Sequence, residues 1–144
     1  MFALQSTTVS ALCAAVLLAA GARAADVVAV DVNVIVHPIT VEIIARAINQ
    51  ARDQHASAVL IRLNTPGGLA EATRQIIEKV VASPVPVLTY VTPSGGRAAS
   101  AGFFILEAGD IAAMAPGTNT GAASPVLLGG GQMDPVMRNK VQND

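Results

Sequence analysis

A chain of 144 residues is long enough for one ordinary hydrophobic core, and that length favours a single domain with a single site. Nine basic against ten acidic residues leave a net charge of −1, which supplies no field to gather nucleic acid or anionic lipid. The composition is 52% hydrophobic, yet no apolar run reaches the roughly 18 to 20 residues that a membrane-spanning helix needs.

The apolar excess is concentrated at the amino terminus. VSALCAAVLLAA has about the length of a secretory h-region, and Ala22-Arg23-Ala24 before Ala25 gives an A-x-A cleavage pattern. Residues 1–24 therefore read as a signal peptide; the n-region has no Lys or Arg, and an uncleaved anchor is the alternative. Cys13, the only cysteine, falls inside this leader. The remainder is expected to hold no thiol and no disulfide, which sets Cys13 aside as nucleophile or metal ligand.

VVAVDVNVIV (27–36) is rich in β-branched residues and predicts a strand, followed by a turn at His37-Pro38. A helix through about Gln54 follows, with Thr40 as its N-cap and Val41, Ile44, Ala45, Ile48 and Ala51 at helical spacing. AVLIRL (58–63) predicts a buried strand, NTPGG (64–68) a tight loop, and LAEATRQIIEKVVAS (69–83) a second amphipathic helix ended by Pro84. VPVLTYV (85–91) gives a third strand, TPSGGR (92–97) a loop, AASAGFFILEAG (98–109) a small-residue helix and IAAM (111–114) a fourth strand. Parallel strands joined by crossover helices are the economical reading. Beyond Met114 the text becomes loop-rich and reaches Gly129–Gly131, which reads as a hinge. Asp134 and Pro135 then look like the N-cap and first position of a last helix, inside which the chain reads as cut.

A serine acts as nucleophile only if it is exposed at a constrained turn, has a base beside it and faces donors for the oxyanion it creates. Ser100, in AASAG after a predicted strand and loop, resembles the G-x-S-x-G elbow with Ala in place of the first Gly. The same run is also what packs a helix closely against a sheet, so the segment alone leaves both readings open. Asn64-Thr65-Pro66-Gly67-Gly68 lies at the carboxyl end of a predicted parallel strand, where sites in open α/β sheets collect. It can present backbone donors, or it is an ordinary strand-to-helix turn.

Both histidines lie upstream of Ser100, which excludes the α/β-hydrolase order. His37 reads as a turn residue, and His55 as a structural residue ending a helix. Lys79 falls on the polar side of its helix, near Glu71, Gln75 and Glu78. Lys140 falls on the apolar stripe of Val136, Met137 and Val141. There it is either a base with an amine depressed by desolvation, or a side chain that snorkels to the surface. The histidines are far apart and the carboxylates do not cluster, so neither metal nor cofactor is expected.

LNTPGG, ASPVPVLTYV, PSGGRAASAGFFI and MAPGTNTGAASPV, in this order, resemble the NfeD-like, Clp-class membrane-associated serine proteases. The resemblance implies an α/β, Clp/crotonase-like fold of repeated β-α units with a mostly parallel sheet, residues 25–144 forming the N-terminal part of the protease domain. It further implies a Ser-Lys dyad of Ser100 as nucleophile and Lys140 as general base and later acid, one of the convergent variants of the triad. The N–H groups of Gly67, Gly68 and Ala101 would form the oxyanion hole, and Val126 to Gly131 a flap over a hydrophobic cleft. Implied with these are stomatin-like membrane proteins as substrates or partners, association as dimers, and a location at the membrane or on its periplasmic side. The family commonly has His where Ser124 stands, and its protease domain continues past Lys140 with further helices. Two other readings share the fold: a crotonase-like acyl-thioester enzyme, and a catalytically inert scaffold that binds a membrane protein.

Overall fold

The computed structural model describes residues 25–124 and 134–142. The signal peptide expected at 1–24, the hinge expected at 129–131 and the flap implied at 126–131 lie outside the described residues. The strands are β1 (Val27–Val32), β2 (Ala58–Leu63), β3 (Val87–Val91), β4 (Arg97–Ala99), β5 (Ile111–Met114) and β6 (Asn119–Gly121). The helices are α1 (Pro38–Asp53), α2 (Ala70–Val81), α3 (Ala101–Glu107) and α4 (Pro135–Gln142).

The four longer strands form one parallel sheet in the order β1-β2-β3-β5. Because the order advances in one direction, right-handed crossovers bring successive helices to the same face. α1 accordingly packs against α2, and α2 against α3. Val59, Ile61 and Leu63 of β2 and Val87 and Val91 of β3 point into this layer and are fully buried with Ile44, Ile76 and Ile105. The alternate residues, Leu60, Arg62, Leu88 and Tyr90, are half-buried on the other face, where Asp31 stands opposite Arg62 and pairs with it at 2.8 Å. The expected β-α alternation and parallel sheet are present.

Four local expectations are corrected. The first strand stops at Val32, not Val36; the chain bends after Asn33, and Val36 alone pairs in parallel with Gly68. The N-cap of α1 is His37, not Thr40: Ile39 N–H donates to His37 Nδ1 at 3.2 Å, and His37 N–H donates back to Thr40 Oγ1 at 3.3 Å. Pro38 occupies the first helical position, where its missing N–H costs nothing. The helix expected over 98–109 begins only at Ala101, because Arg97–Ala99 form β4. Part of the loop-rich stretch after Met114 forms β6, which pairs in parallel with β4.

Ile61 sits in the second strand of the sheet with no exposure. Ile61→Ala is expected to cost about 2–5 kcal/mol in urea unfolding, whereas Asp31→Ala, breaking an exposed ion pair, costs about 1 kcal/mol or less.

Candidate active site

The loop that leaves β2 is stitched to β4 through both backbone and side chains. Thr65 N–H donates to the Arg97 carbonyl at 2.7 Å, and Ala99 N–H donates to the Thr65 carbonyl at 3.1 Å. This forms a parallel bridge between Thr65 and Ala98. Asn64 adds two links, accepting from Arg97 N–H at 3.2 Å through Oδ1 and donating to Asn33 Oδ1 at 2.9 Å through Nδ2. Sequence reasoning treated this loop as a source of glycine donors and missed Asn64 and Thr65 as its anchors; the Asx and Thr just past a strand end were the available signal.

Ser100 follows β4 directly and turns the chain into α3. Its φ of 53° and ψ of −115° lie in a region that side-chain-bearing residues rarely occupy. Flanking bonds hold it there: Ser100 N–H donates to the Gly121 carbonyl at 2.7 Å, and its carbonyl accepts from Phe103 N–H at 3.0 Å. The sharp strand-to-helix turn expected from AASAG is present, and Ser100 is half-buried, its hydroxyl bonded to no acceptor or donor among the described residues.

Gly67 lies against this serine. A Cβ on Gly67 would come 2.7 Å from Ser100 Cβ and 3.1 Å from Ser100 Oγ, and its φ of +115° would itself strain any side chain. A Cβ on Gly68 would overlap the Val36 carbonyl oxygen. Both glycines thus sit in close approach, Gly67 to Ser100 and Gly68 to Val36. Their N–H groups differ: Gly67 N–H donates to Thr65 Oγ1 at 3.1 Å, whereas Gly68 N–H has no acceptor among the described residues. Ala101 N–H, at the first position of α3, likewise has none.

Lys140 lies on α4, which Asp134 caps by accepting Val136 N–H at 2.7 Å, as its sequence suggested. The Lys140 side chain is outside the described residues. Two residues of its apolar stripe, Val136 and Met137, are 72% and 55% exposed and lie outside the described core. The expectation that this stripe faces the core is thus corrected for Val136 and Met137. His37 is taken up in capping α1, and His55 ends that helix at a φ of 53°.

Near the loop, Glu71 in the first turn of α2 is held below the usual carboxylate value by hydrogen bonds from Gln75 and then Arg74. A cavity of about 370 Å³, lined by Asp31, Asn33, Arg62, Asn64, Thr92 and Pro93, shares Asn64 with the loop, and Ser100 is not among its lining residues. Among the described residues no group of three His, Cys, Asp or Glu side chains is arranged to hold a metal ion, and no helix is long and apolar enough to cross a membrane.

Residues 26–139 match the family described as NfeD1b, N-terminal domain. The chain belongs to the NfeD1b N-terminal domain family. It is 45% identical over 82 residues to the membrane-bound protease PH1510 of Pyrococcus horikoshii, covering 57% of this chain and 19% of that protein. It is 37% identical over 83 residues to the membrane protein NfeD1b of Bacillus subtilis, covering 58% and 18%. The chain thus spans about a fifth of the length of these curated relatives.

Among solved structures it resembles a Ser-to-Ala variant of the 1510-N membrane-bound stomatin-specific protease, with a TM-score of 0.77 and 33% identity over 83% of this chain and 60% of that one. A Lys-to-Ala variant of the same protease, in complex with a substrate peptide, gives a TM-score of 0.77 and 34% identity over 83% and 57%. ClpP1 of Listeria monocytogenes, at 21% identity and a TM-score of 0.56, shares the fold, which is Clp-like.

The backbone at Ser100 generates a stability prediction. Ser100→Ala keeps the left-handed turn strained, while Ser100→Gly relieves it. The Gly variant is expected to be more stable than the Ala variant by about 1 kcal/mol, read as the difference between their chemical denaturation curves.

Proposed function

We propose that this domain is the nucleophile-bearing part of a serine endopeptidase that works through a Ser100–Lys140 dyad. The observation that carries the reading is the Ser100 turn, with its hydroxyl against Gly67 and the N–H groups of Gly68 and Ala101 left without acceptors among the described residues. A serine on a strained strand-to-helix turn beside unpaired amides suits acyl transfer, because a fixed donor pair stabilises charge that develops only in the transition state.

The solved relatives support the pairing. They are proteases studied as Ser-to-Ala and Lys-to-Ala variants, whose serine and lysine stand about as far apart in sequence as Ser100 and Lys140. The first of them is described as stomatin-specific, which favours hydrophobic segments of stomatin-like membrane proteins as substrates here. Two exposed apolar side chains close in sequence to the two turns agree with that: Leu69 follows Gly68 directly, and Phe104 lies one turn beyond Ser100 on α3. The leader-like pattern of residues 1–24 supports export, with the site at the membrane on its periplasmic side.

In the proposed reaction the neutral Lys140 amine takes the proton from Ser100 Oγ as that oxygen bonds to the scissile carbonyl carbon. The carbonyl oxygen becomes an oxyanion held by Gly68 and Ala101 N–H. Lys140 then gives its proton to the departing amine as the C–N bond breaks, leaving an acyl-serine. Water attacks this ester with Lys140 again as base, and the ester oxygen leaves as the Ser100 hydroxyl.

Ser100→Ala and Lys140→Ala in the full-length protein are each expected to lower cleavage of a hydrophobic peptide by roughly a thousandfold or more. Cleavage followed by mass spectrometry and left unchanged by either substitution would overturn the dyad.

A further inference from the structure

We propose that Thr65 is a positioning residue of this site, its hydroxyl locking the peptide unit that carries the Gly68 N–H. The inference rests on the reading of Ser100 as nucleophile. Thr65 is fully buried, and each part of it has a separate task. Its backbone forms the bridge to Ala98 that sets the path of β4 into Ser100. Its methyl group fills the space beside Gly102, where a glycine Cβ would meet Thr65 Cγ2 at 2.6 Å. Its hydroxyl serves Gly67 alone, accepting from Gly67 N–H at 3.1 Å and donating to the Gly67 carbonyl at 3.3 Å.

The last contact carries the argument. The Gly67 carbonyl and the Gly68 N–H belong to one trans peptide, so they point in opposite directions. The carbonyl is held from Val36 N–H at 2.9 Å and from Thr65 Oγ1 at 3.3 Å. Fixing it there points the Gly68 N–H out of the opposite edge of the planar peptide, away from the Val36 N–H. Glycines on both sides of this peptide allow it to rotate at little steric cost, and the Thr65 hydroxyl opposes that rotation. The same hydroxyl engages Gly67 N–H, so of the two glycines only Gly68 is left to bind an oxyanion. An oxyanion donor acts by being in place before charge develops, which makes the effect one on turnover rather than on substrate binding.

Thr65→Val removes the hydroxyl and keeps the shape, while Thr65→Ser keeps the hydroxyl and removes the methyl. Steady-state cleavage of a hydrophobic peptide by the full-length protein, well below the melting temperature of either variant, separates the two roles. Expected for Thr65→Val is a kcat lowered by roughly 10- to 100-fold at nearly unchanged KM, part of the loss caused by deleting an oxyanion donor outright. Thr65→Ser is expected to keep kcat within about threefold of the parent while melting lower, the methyl having left a cavity beside Gly102. An unchanged kcat in Thr65→Val, or a loss in Thr65→Ser as large as in Thr65→Val, overturns the inference. Ser100→Ala is run alongside. If it is inactive while Thr65→Val is fully active, only the role of Thr65 falls; if it is fully active, the protease reading falls and takes the role of Thr65 with it.

Discussion

The two backbone bonds that join Thr65 to Arg97 and Ala99 hold the rest of the site in place. They pull the loop after β2 alongside β4, so that a glycine turn from one β-α unit meets a serine turn from the next. On its other edge β4 pairs with β6, and the Gly121 carbonyl takes the Ser100 N–H. Ser100 is therefore clamped between two segments that are remote in sequence. Backbone strain of about 1–3 kcal/mol at such a residue persists only where neighbours over-determine the conformation, and here they do so from both sides.

The parallel sheet supplies the frame. β1, β2, β3 and β5 end at one edge, and the loops leaving β2 and β3 bring Gly67 and Ser100 together there. Burial of Val59, Ile61 and Leu63 against one helical layer fixes the register of β2 and hence where Thr65 begins. A one-residue slip of β2 would turn those side chains outward, so the position of the site depends on the core beneath it.

Much of this frame is legible in the residues. AVLIRL and IAAM mark strands to the residue, and LAEATRQIIEKVVAS marks a helix within two residues of its observed ends. β4 and β6 escape such reading because Arg-Ala-Ala and Asn-Thr-Gly carry no periodicity in three residues; only their mutual pairing makes them strands. His37 reads as a turn residue because it precedes Pro38, yet Pro38 fits the first helical position, which makes His37 the cap in place of Thr40. At the site, AASAG pointed to the Ser100 turn, but the division of labour between Gly67 and Gly68 depends on a hydroxyl two residues away and on Val36. The stripe around Lys140 was visible as a pattern, while the exposure of Val136 and Met137 was not. Amphipathic spacing shows which side chains share a face and is silent on what that face meets.

A strained turn and a pair of unpaired amides belong to a nucleophile only if the serine is chemically activated. The rate at which a fluorophosphonate modifies the full-length protein, with the adduct located by mass spectrometry, reads that activation without assuming a substrate. The expected result is one adduct, on Ser100, forming much more slowly once Lys140 is replaced by Ala. Modification that avoids Ser100, or that proceeds at the same rate without Lys140, would contradict the dyad.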